Sequence, residues 1–541
     1  MLLDPVVGER FFGRGDIIAL LEKRLDGLKS GYRQNVAITG HRLTGKSSIL
    51  NQLLFTFRDD GILPVYIEVT NEPFRQFAVK FIGTLLYNFL RHGGKEAKDD
   101  LEYLIKGCEK DIPETVSSVK NVLKEIQANS NDSAYAELLS LSSLLKNESG
   151  KRCVVILDEF HNLSALGIKD PFRGFGKKIM TQKDTMYIVA SSEVTSIKKI
   201  LSEKLALLFG NFEKITLGGF DYETSRAFLR KKLSTVKIAD DLLDFLTAFA
   251  DGHPFYLDVL SSKINEVMGN LHFRVVGVTT VVKAMEELLF DARGTLNQFF
   301  TNLLQDVAEP AQEPLKKTLT ALAHGIYKRR ELCRWTGLNV REVSGCLKIL
   351  IEKSVIYPSG NIYRLYDKVM RFWLRNVYHK RRRTLVDNIS ERSKMFQGDA
   401  ECMIGQFLAE AALDTSVRVK ALFDSFNNEI VKIGPRTRRL MRFEETEIVE
   451  SGGKRYIIGR LRDKFCVAHF SNKKIDENDI LEFIKYTLRY KPRLKRRILL
   501  PLDGIDINAN IMAKEVKMTI WGLAEVNELL DITGRQKIVR I

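Results

Sequence analysis

The sequence of 541 residues has few cysteines and no long apolar run, and both absences narrow the class of protein. Its six cysteines form no CxxC pair, which excludes zinc-ribbon and thioredoxin-type sites. No apolar stretch approaches the roughly 20 residues that a membrane-spanning helix needs. The first residues, MLLDPVVGER, lack the basic and then apolar order of a signal peptide. We therefore expect a cytoplasmic protein with no membrane partner.

Acidic residues are in the minority, and the imbalance is largest towards the end of the chain. The formal net charge is +16, and the residues from Lys380 onward include 32 Lys/Arg against 23 Asp/Glu, a surplus of 9. Such a surplus is typical of proteins that bind a polyanion such as nucleic acid. It is also typical of a solvated basic surface, as in proteins of hot organisms. The charge alone leaves both interpretations open.

A glycine-rich stretch, GHRLTGKSSI, begins at Gly40 and has the GxxxxGK[ST] spacing of a phosphate-binding loop. It follows an apolar run, Val36–Thr39, that predicts a short strand, and it precedes residues with helical periodicity. In this context Gly40 and Gly45 allow a tight turn around phosphates, and the helix N-terminus supplies partial positive charge. We predict that Lys46 contacts the β- and γ-phosphates of ATP and that Ser47 ligates Mg²⁺.

A second stretch, RCVVILDEFHNL, supplies the acids that such a site requires. Cys153–Leu157 predict a buried strand, and Asp158 and Glu159 follow at its carboxyl end, where ligands of parallel sheets bind. We predict that Asp158 orients the water shell of Mg²⁺ and that Glu159 is the general base for the attacking water. The next apolar run, MYIVASSEV, contains Ser191 and Ser192. Ser192 is our candidate for sensing the γ-phosphate, and a structural serine is the alternative.

These segments, in this order, resemble the archaeal ATPase family, a STAND-type branch near the AAA+ proteins. ERFFGRGDIIALLEKRL resembles the N-terminal box of that family, and DGHPFYLDVL resembles the G-x-P signature of its helical lid. A D-x-x-x-R-F-W run at Asp367–Trp373 also matches, so the resemblance covers about residues 1–375. It implies adenine contacts from the box and from the lid. The nucleotide-binding set that it implies, phosphate loop included, is Phe12, Gly13, Arg14, Gly40, Arg42, Thr44, Gly45, Lys46, Ser47, Ser48 and Pro254.

One position departs from the family pattern. The family often has an arginine after the sensor strand, a candidate finger for the γ-phosphate of a neighbouring subunit, whereas this chain has Asn211 in the stretch LFGNFEKITL. An arginine finger contributes roughly three to five orders of magnitude to turnover. We therefore expect slow hydrolysis, or a switch that is held by bound nucleotide.

Three predicted helices and a hairpin follow the linker QDVAEPAQEP. LKKTLTALAHG and KRRELCRWTGL predict two helices, Asn339 is a suitable N-cap for a third, and PSGN is a turn sequence. This is the order of a winged helix, which predicts DNA contacts from Arg341 and Lys348 of the third helix and from Arg364 of the hairpin. Winged helices of STAND proteins also act as lids and interaction modules. Contact with DNA and contact with protein therefore both stay open.

From about residue 431 the pattern changes to strands, in a β-β-β-α-β order with a further strand and helix at the end. This order resembles the restriction-endonuclease-like domain that often follows such ATPases. An active domain of this kind has an acid and an E-x-K triplet on its central strands to hold Mg²⁺. If the strand KFCVAHF takes the E-x-K position, Ala468, His469 and Phe470 occupy it. We expect no DNA cleavage, although acids precede these strands at Glu444, Glu445 and Glu447.

Two arginine-rich stretches, GPRTRRLMR and RYKPRLKRR, are the other charged features of this region. Arginine contacts phosphate oxygens in nucleic-acid complexes. The stretches add further candidates for nucleic-acid contact: Arg436, Arg438, Arg439, Arg493, Arg496 and Arg497.

Together these patterns predict a fold of four parts. They are an α/β P-loop ATPase domain of AAA+/STAND type with a parallel sheet (1–218), a helical lid (219–304), a winged-helix domain (305–380) and a degenerate nuclease-like α/β domain (381–541). Our hypothesis is a protein that binds ATP and Mg²⁺ and whose nucleotide state controls binding of nucleic acid, with double-stranded DNA favoured. The alternative is a signalling switch that acts on a protein partner, with self-association also open.

Overall fold

The apolar runs that flank the phosphate loop form strands of one parallel sheet. We describe the protein from a computed structural model, in which the described residues are 4–205, 212–271, 274–308, 312–385, 388–434 and 436–538. The chain divides into two units, and the first comprises Met1–Phe220, His253–Phe255 and Glu352–Ser354. The second comprises the remaining residues. In the described part of the chain, every helix is too short or too polar to cross a membrane.

Strands and helices alternate in the first unit, and its strand order is β2-β3-β4-β1-β5 with every neighbouring pair parallel. The predicted strands before the phosphate loop and before Asp158 are confirmed. Helices α4 to α7 form an insertion between α3 and β3 for which the sequence motifs offer no prediction. The elements are α1 (Gly15–Lys29), β1 (Asn35–Gly40), α2 (Lys46–Thr56), β2 (Ile62–Glu68), α3 (Phe74–His92), α4 (Leu101–Cys108), α5 (Pro113–Gln127), α6 (Asn131–Leu138), α7 (Leu141–Ser149), β3 (Arg152–Asp158), α8 (Pro171–Thr181), β4 (Thr185–Ser191), α9 (Val194–Lys199) and β5 (Phe212–Leu217).

Alternate residues of the central strands pack on opposite faces of this sheet. Ile38, Ile156 and Ile188 belong to one core with residues of α1 and α2. Val155 and Val189 belong to another core with residues of α3. Burial on both faces explains why these strands are uninterrupted apolar runs. Because the strands are parallel, their carboxyl ends lie along one edge of the sheet, and the polar residues that follow them come together there.

The second unit begins with helices and two short strand pairs. Three helices and a hairpin occupy residues 312–365, as predicted. Asn339 and Glu342 cap the third of these helices by exchanging side-chain-to-backbone hydrogen bonds of 2.8 and 2.9 Å, which confirms the predicted N-cap. The elements are α10 (Tyr222–Lys232), β6 (Lys237–Ile238), α11 (Asp240–Ala250), α12 (Pro254–Leu271), β7 (Val275–Val276), α13 (Val278–Met285), α14 (Thr295–Ala308), α15 (Gln312–Ala323), α16 (Arg329–Thr336), α17 (Val340–Glu352), β8 (Ile356–Ser359) and β9 (Ile362–Leu365).

A mixed five-stranded sheet forms the last part of the second unit. Its order is β12-β13-β14-β15-β16, in which the first two pairings are antiparallel and the last two are parallel. Here α23 is an element without a counterpart in the sequence-based prediction. The elements are α18 (Lys368–Trp373), α19 (His379–Arg383), α20 (Ile389–Ala411), α21 (Thr415–Asp424), β10 (Ile430–Ile433), β11 (Arg436–Arg439), β12 (Glu445–Ser451), β13 (Lys454–Leu461), β14 (Lys464–Ser471), α22 (Glu477–Thr487), β15 (Leu494–Pro501), α23 (Ile507–Glu515), β16 (Thr519–Ile520) and α24 (Leu523–Ile532). The predicted boundaries at 218, 304 and 380 stay predictions.

Candidate functional site

The loop between β1 and α2 requires glycine at both glycine positions of its motif. A Cβ at Gly40 would lie 2.6 Å from the carbonyl oxygen of Leu217, so no larger residue fits beside β5. Gly45 has a φ of 96°, in the left-handed region that favours glycine. The Thr44 hydroxyl donates to the His41 carbonyl at 2.8 Å and closes the loop. The backbone is thereby shaped as the motif predicts.

Lys46 lies inside this loop and is 4% exposed. Its Nζ donates to the carbonyl oxygens of Gly40 at 3.0 Å and His41 at 2.8 Å. Burial lowers the pKa of Lys46. Among the described residues, no carboxylate forms an ion pair with this ammonium group. Its positive charge is therefore available to an anionic ligand.

Asp158 at the carboxyl end of β3 meets Ser47 at the start of α2. The Ser47 hydroxyl donates to Oδ2 of Asp158 at 2.6 Å, and the Tyr66 hydroxyl donates to the same oxygen at 3.1 Å. Asp158 is 1% exposed, and burial raises the pKa of its carboxyl group. A hydroxyl and a carboxylate in contact are oxygen ligands of the kind that Mg²⁺ prefers. These two residues fit a magnesium site.

Glu159 leaves the strand with a φ of 50°, a conformation that costs a non-glycine residue about 1–2 kcal/mol. Its Oε2 accepts hydrogen bonds from the backbone N–H of Ser192 at 2.9 Å and from the Ser192 hydroxyl at 2.8 Å. The structure therefore brings two of the predicted catalytic residues together. Here Ser192 holds the predicted general base.

His161 is a polar residue of this site that the motif analysis missed. Its Nδ1 lies 3.0 Å from the Ser191 hydroxyl and 3.4 Å from Oε2 of Glu159, and its Nε2 lies 3.9 Å from Oε1 of Glu193. The signal in the sequence is its position two residues after Glu159, in the short 3₁₀-helix that follows β3. A local motif does not reveal its contact with Ser191 at the end of β4, because the two residues are 30 positions apart in the sequence.

His41 is a second histidine at the loop, and its charge state is defined by its surroundings. Burial, with the Lys46 and Lys198 charges acting in the same direction, lowers the pKa of His41 to about 4. The imidazole is therefore neutral near pH 7. A neutral ring leaves Lys46 as the buried cation of the loop.

The N-terminal box packs against the segment that follows β5. Gly13 and Arg14 have φ values of 67° and 61°. The Arg14 guanidinium lies over the Phe220 ring at 4.9 Å and donates to the Gly218 carbonyl, and the Phe12 ring contacts the same Phe220 ring edge-on at 6.3 Å. The predicted box residues are therefore held together within the first unit.

The other residues of the implied nucleotide set lie around the same loop. The Ser48 hydroxyl accepts from the Val6 N–H at 3.0 Å, so it faces the N-terminal segment. The side chain of Arg42 is exposed, and its carbonyl oxygen lies 3.0 Å from His253 Nε2. Pro254 is the first residue of α12 and groups with the first unit. Asn211, the position of the missing arginine, lies outside the described residues.

The hairpin of the second unit does not present its arginine to solvent. Arg364 is 2% exposed, its guanidinium lies 4.8 Å from the centre of the Tyr327 ring, and it donates to the Ile532 carbonyl. The prediction that Arg364 contacts nucleic acid is therefore wrong, because the side chain is enclosed within the protein. Arg341 and Lys348 of α17 are exposed, as that prediction requires.

The turn of the same hairpin is covered by β10. The Asn361 N–H donates to the Ile430 carbonyl at 2.9 Å, and the Ile430 N–H donates to Oδ1 of Asn361 at 3.1 Å. Ser359 and Lys432 exchange a second pair of bonds at 3.0 and 3.3 Å. A Cβ at Gly360 would lie 2.0 Å from the Ile430 carbonyl oxygen, so the close approach needs glycine. The hairpin turn is therefore engaged with the chain itself.

Strand register separates the arginines of the first C-terminal cluster. In the β10–β11 pair, Arg439 is opposite Ile430 and Arg438 is opposite Val431. Side chains that are opposite each other share a face, so Arg439 lies on one face and Arg436 and Arg438 on the other. All three retain some exposure, Arg438 the least.

The second cluster lies at the start of β15. Arg493 is exposed, and Arg496 is partly exposed. Arg497 is also partly exposed, and its Nε donates to the Thr487 hydroxyl at 2.7 Å. Arg493 and Arg496 are therefore the more accessible pair.

The residues at the expected nuclease position are part of the core. His469 is 3% exposed, and its ring lies 5.2 Å from that of Tyr456. Ala468 is buried, and Phe470 is 8% exposed. Glu445 and Glu447 on β12 are exposed, and Glu444 precedes that strand. Within the described part of the chain, no group of three His, Cys, Asp or Glu residues could hold a metal ion.

A family model matches part of the first unit. Residues 10–169 match the family model of the AAA ATPase domain. No curated protein matches the chain at a significant level. Among solved structures, a Walker-type ATPase of Pyrococcus abyssi aligns with 17% identity and a TM-score of 0.49 over 69% of this chain and 99% of that chain. The ORC2 protein of Aeropyrum pernix aligns with 13% identity and a TM-score of 0.42 over 75% and 98%.

A third solved structure, the Aeropyrum pernix ORC1 protein in complex with DNA, aligns with 13% identity and a TM-score of 0.37 over 69% of this chain and 94% of that chain. The family match covers the N-terminal box, the phosphate loop and the strand that ends at Asp158. Residues 10–169 are therefore similar to the AAA ATPase domain family, and the first unit has a parallel sheet with a phosphate loop after β1.

Proposed function

We propose that this protein binds ATP with Mg²⁺ and hydrolyses it slowly, and that its nucleotide state controls binding of nucleic acid. The observation that carries the proposal is the contact between Ser47 of the phosphate loop and Asp158 of β3, at 2.6 Å. The buried, unpaired ammonium of Lys46 lies next to this contact in the same loop. A P-loop ATPase needs this combination of a cation for phosphate and oxygen ligands for a metal.

Each residue then has a defined role in the proposed reaction. Lys46 binds the β- and γ-phosphates, and Ser47 and Asp158 hold the metal, which when bound neutralises phosphate charge. Glu159 accepts the proton of the attacking water. In the described geometry Glu159 already accepts two hydrogen bonds from Ser192, so its oxygen must be released or shared before it serves as the base. That engagement supports slow hydrolysis, as does Asn211 in place of the family's arginine.

For nucleic acid, the support is the exposed positive charge of the second unit. Arg341, Lys348, Arg439 and Arg493 are exposed, and the net charge of the chain is +16. We propose that residues 312–365 act as a winged-helix module and that residues 381–541 form a nuclease-like domain without nuclease activity. The partner is double-stranded DNA in this proposal, and the cellular location is the cytoplasm.

A second candidate function is a signalling switch that acts on a protein partner. The observation in its favour is the enclosed hairpin, since Arg364 and the turn at Asn361 contact the protein's own later residues. Binding measured against salt separates the two candidates. Duplex binding weakens steeply with salt because counterions are released, whereas a protein interface has a smaller dependence.

The nucleotide site is tested with Lys46→Ala. The variant should lose ATP binding at least 100-fold, because the phosphates lose their counter-charge, and its turnover should fall to background. Isothermal titration with ATP and Mg²⁺ gives the affinity, and phosphate release gives the turnover. Lys23→Ala is the matched control, since Lys23 is an exposed lysine of α1. Unchanged ATP affinity in Lys46→Ala would rule out this site.

A further inference from the structure

A basic depression lies beside α16, and its lining contains arginines that the sequence motifs do not suggest. Its volume is about 780 Å³, and its lining includes Lys328, Arg329, Arg330 and Arg334, with Asn361 from the hairpin turn. Lys328 precedes α16 and forms a backbone bridge with Ile362 of β9. Backbone hydrogen bonding therefore fixes the start of α16 relative to the hairpin.

The charge of this depression is only partly neutralised. From residue 328 to residue 348 the sequence has six Lys/Arg and two acids. Glu331 lies 3.9 Å and Glu429 lies 3.1 Å from Lys328 Nζ, and Glu342 accepts the Asn339 N–H. In contrast, the exposed Arg329, Arg330 and Arg334 form no ion pair with any described residue. Arg330 and Arg334 are four residues apart on α16, a spacing at which like charges destabilise a helix, so their concentration indicates an anionic partner.

The positive surface continues from α16 onto α17. Arg329 donates to the Ser344 hydroxyl of α17 at 3.4 Å. Residues three and four apart share a helix face, so Arg341 and Lys348 lie on the face that contains Ser344. Both are exposed.

The positive surface also continues from the depression onto the β10–β11 pair. Asn361, which lines the depression, is hydrogen-bonded to both backbone groups of Ile430. Lys432, two residues further along β10, lies on the face of Ile430, and Arg439 of β11 is opposite Ile430. Lys432 and Arg439 are both exposed. We call the set comprising Lys328, Arg329, Arg330, Arg334, Lys432 and Arg439 the α16 basic surface.

We propose that the α16 basic surface binds the phosphate backbone of duplex nucleic acid, in place of a contact by the hairpin. The lining of the depression contains no aromatic side chain among the described residues, and aromatic stacking is the usual means of holding single strands. Exposed guanidinium groups that are free of carboxylates match phosphate oxygens in charge and geometry. This inference rests on the proposed nucleic-acid function and identifies the surface that performs it.

The test compares two triple variants of equal charge. Arg329→Ala/Arg330→Ala/Arg334→Ala removes the unpaired cations of the depression. Lys106→Ala/Lys110→Ala/Lys124→Ala removes three exposed lysines of the first unit and is the matched control. The probe is a fluorescently labelled DNA duplex of about 30 base pairs and arbitrary sequence, with anisotropy measured at several salt concentrations and with the matching single strand as a second probe.

We expect the arginine variant to bind the duplex at least tenfold more weakly at about 50 mM salt. The slope of log K against log salt should fall by about 2.7 if each arginine contacts one phosphate. The control should stay within twofold of the parent. ATP turnover and the thermal unfolding profile should be the same in all three proteins, which shows that each is folded.

Three outcomes would overturn the inference while leaving the nucleic-acid function intact. They are parental duplex binding by the arginine variant, equal weakening in both variants, and preference of the parent for the single strand. In the first case, weakening by Arg493→Ala/Lys495→Ala/Arg496→Ala would assign binding to the other cluster. A parent that binds neither probe would instead contradict the proposed nucleic-acid function and favour a protein partner.

Discussion

The described part of the chain contains two five-stranded sheets, and of these only the first brings polar groups together at the ends of its strands. In the first sheet, Asp158 at the end of β3 meets Ser47, and Glu159 meets Ser192 just beyond β4, at 2.6 and 2.8 Å. In the second sheet, His469 and Phe470 of β14 pack in the core, and the acids of β12 are exposed. The two sheets have the same number of strands, but only the first gathers side chains that could carry out catalysis.

Strand direction explains much of this difference. All pairs in the first sheet are parallel, so residues that follow β1, β3 and β4 emerge at one edge. In the second sheet β12, β13 and β14 are antiparallel, so successive strand ends lie at opposite edges. A site on the second sheet would need acids within its central strands, and there the sequence has apolar residues. The comparison predicts chemistry in the first sheet and binding in the second.

Glu159→Gln should have the largest effect on this comparison. Turnover should fall at least 100-fold, because general-base catalysis contributes about 10²–10⁴-fold, while ATP affinity should stay within a few-fold of the parent. Phosphate release and equilibrium ATP binding are the measurements. Glu102→Gln, at an exposed glutamate of α4, is the control and should retain turnover. Full turnover in Glu159→Gln would show that Glu159 is not the general base.

His161 should have a smaller effect, as a residue that positions Glu159. His161→Ala should lower kcat about tenfold and leave KM unchanged, since the ring contacts Ser191 and Glu159 at the strand ends. His161→Asn places an amide near the position of Nδ1 and should restore part of kcat. Steady-state kinetics of both variants separate positioning from folding. If His161→Asn is as impaired as His161→Ala while both are folded, the hydrogen bond to Ser191 has no role.

The second unit contains a carboxyl group whose protonation should affect stability. Burial raises the pKa of Asp367 to about 6, and this residue caps α18 by accepting the Met370 N–H at 2.8 Å. Since the folded-state pKa is above the unfolded value of about 3.9, the contribution to stability is full below pH 4 and is lost as pH rises towards 6. The free energy of unfolding should fall by up to about 1.4 kcal/mol per pH unit from this group.

Asp367→Asn tests this pH dependence, because asparagine retains the cap and does not titrate. Thermal unfolding of the parent and the variant, measured from pH 4 to pH 7, should give curves that converge in acid and favour the variant near neutrality. Parallel curves across this range would contradict the pKa assigned to Asp367.

The smallest expected effect is on DNA cleavage, which should be absent. Supercoiled plasmid incubated with the protein, ATP and either Mg²⁺ or Mn²⁺ should stay intact, because a buried histidine and phenylalanine cannot replace the carboxylates that hold the metal and the lysine that helps to position water or stabilise charge. Nicking activity that co-elutes with the purified protein and disappears in Glu445→Ala or Glu447→Ala would show that the second sheet also carries a catalytic site.

The phosphate loop and its acid can be identified from local sequence patterns. Lys46 and Ser47 are predictable because loop geometry depends on the local spacing of two glycines between a strand and a helix. Asp158 is predictable because it ends an apolar run that only a buried parallel strand requires. The N-cap at Asn339, with the helix and the hairpin that follow it, is local in the same sense.

Which of the other polar residues are functional candidates depends on contacts between segments that are distant in the sequence. The contacts of His161 with Ser191 and of Glu159 with Ser192 depend on two strands that are adjacent in the sheet and separate in the chain. The sequence around Arg364 does not distinguish it from an exposed arginine of a hairpin. Its hydrogen bond to Ile532 joins residues 168 positions apart, and the side chain is buried. Such contacts depend on packing between distant segments, which no local pattern of charge or periodicity encodes.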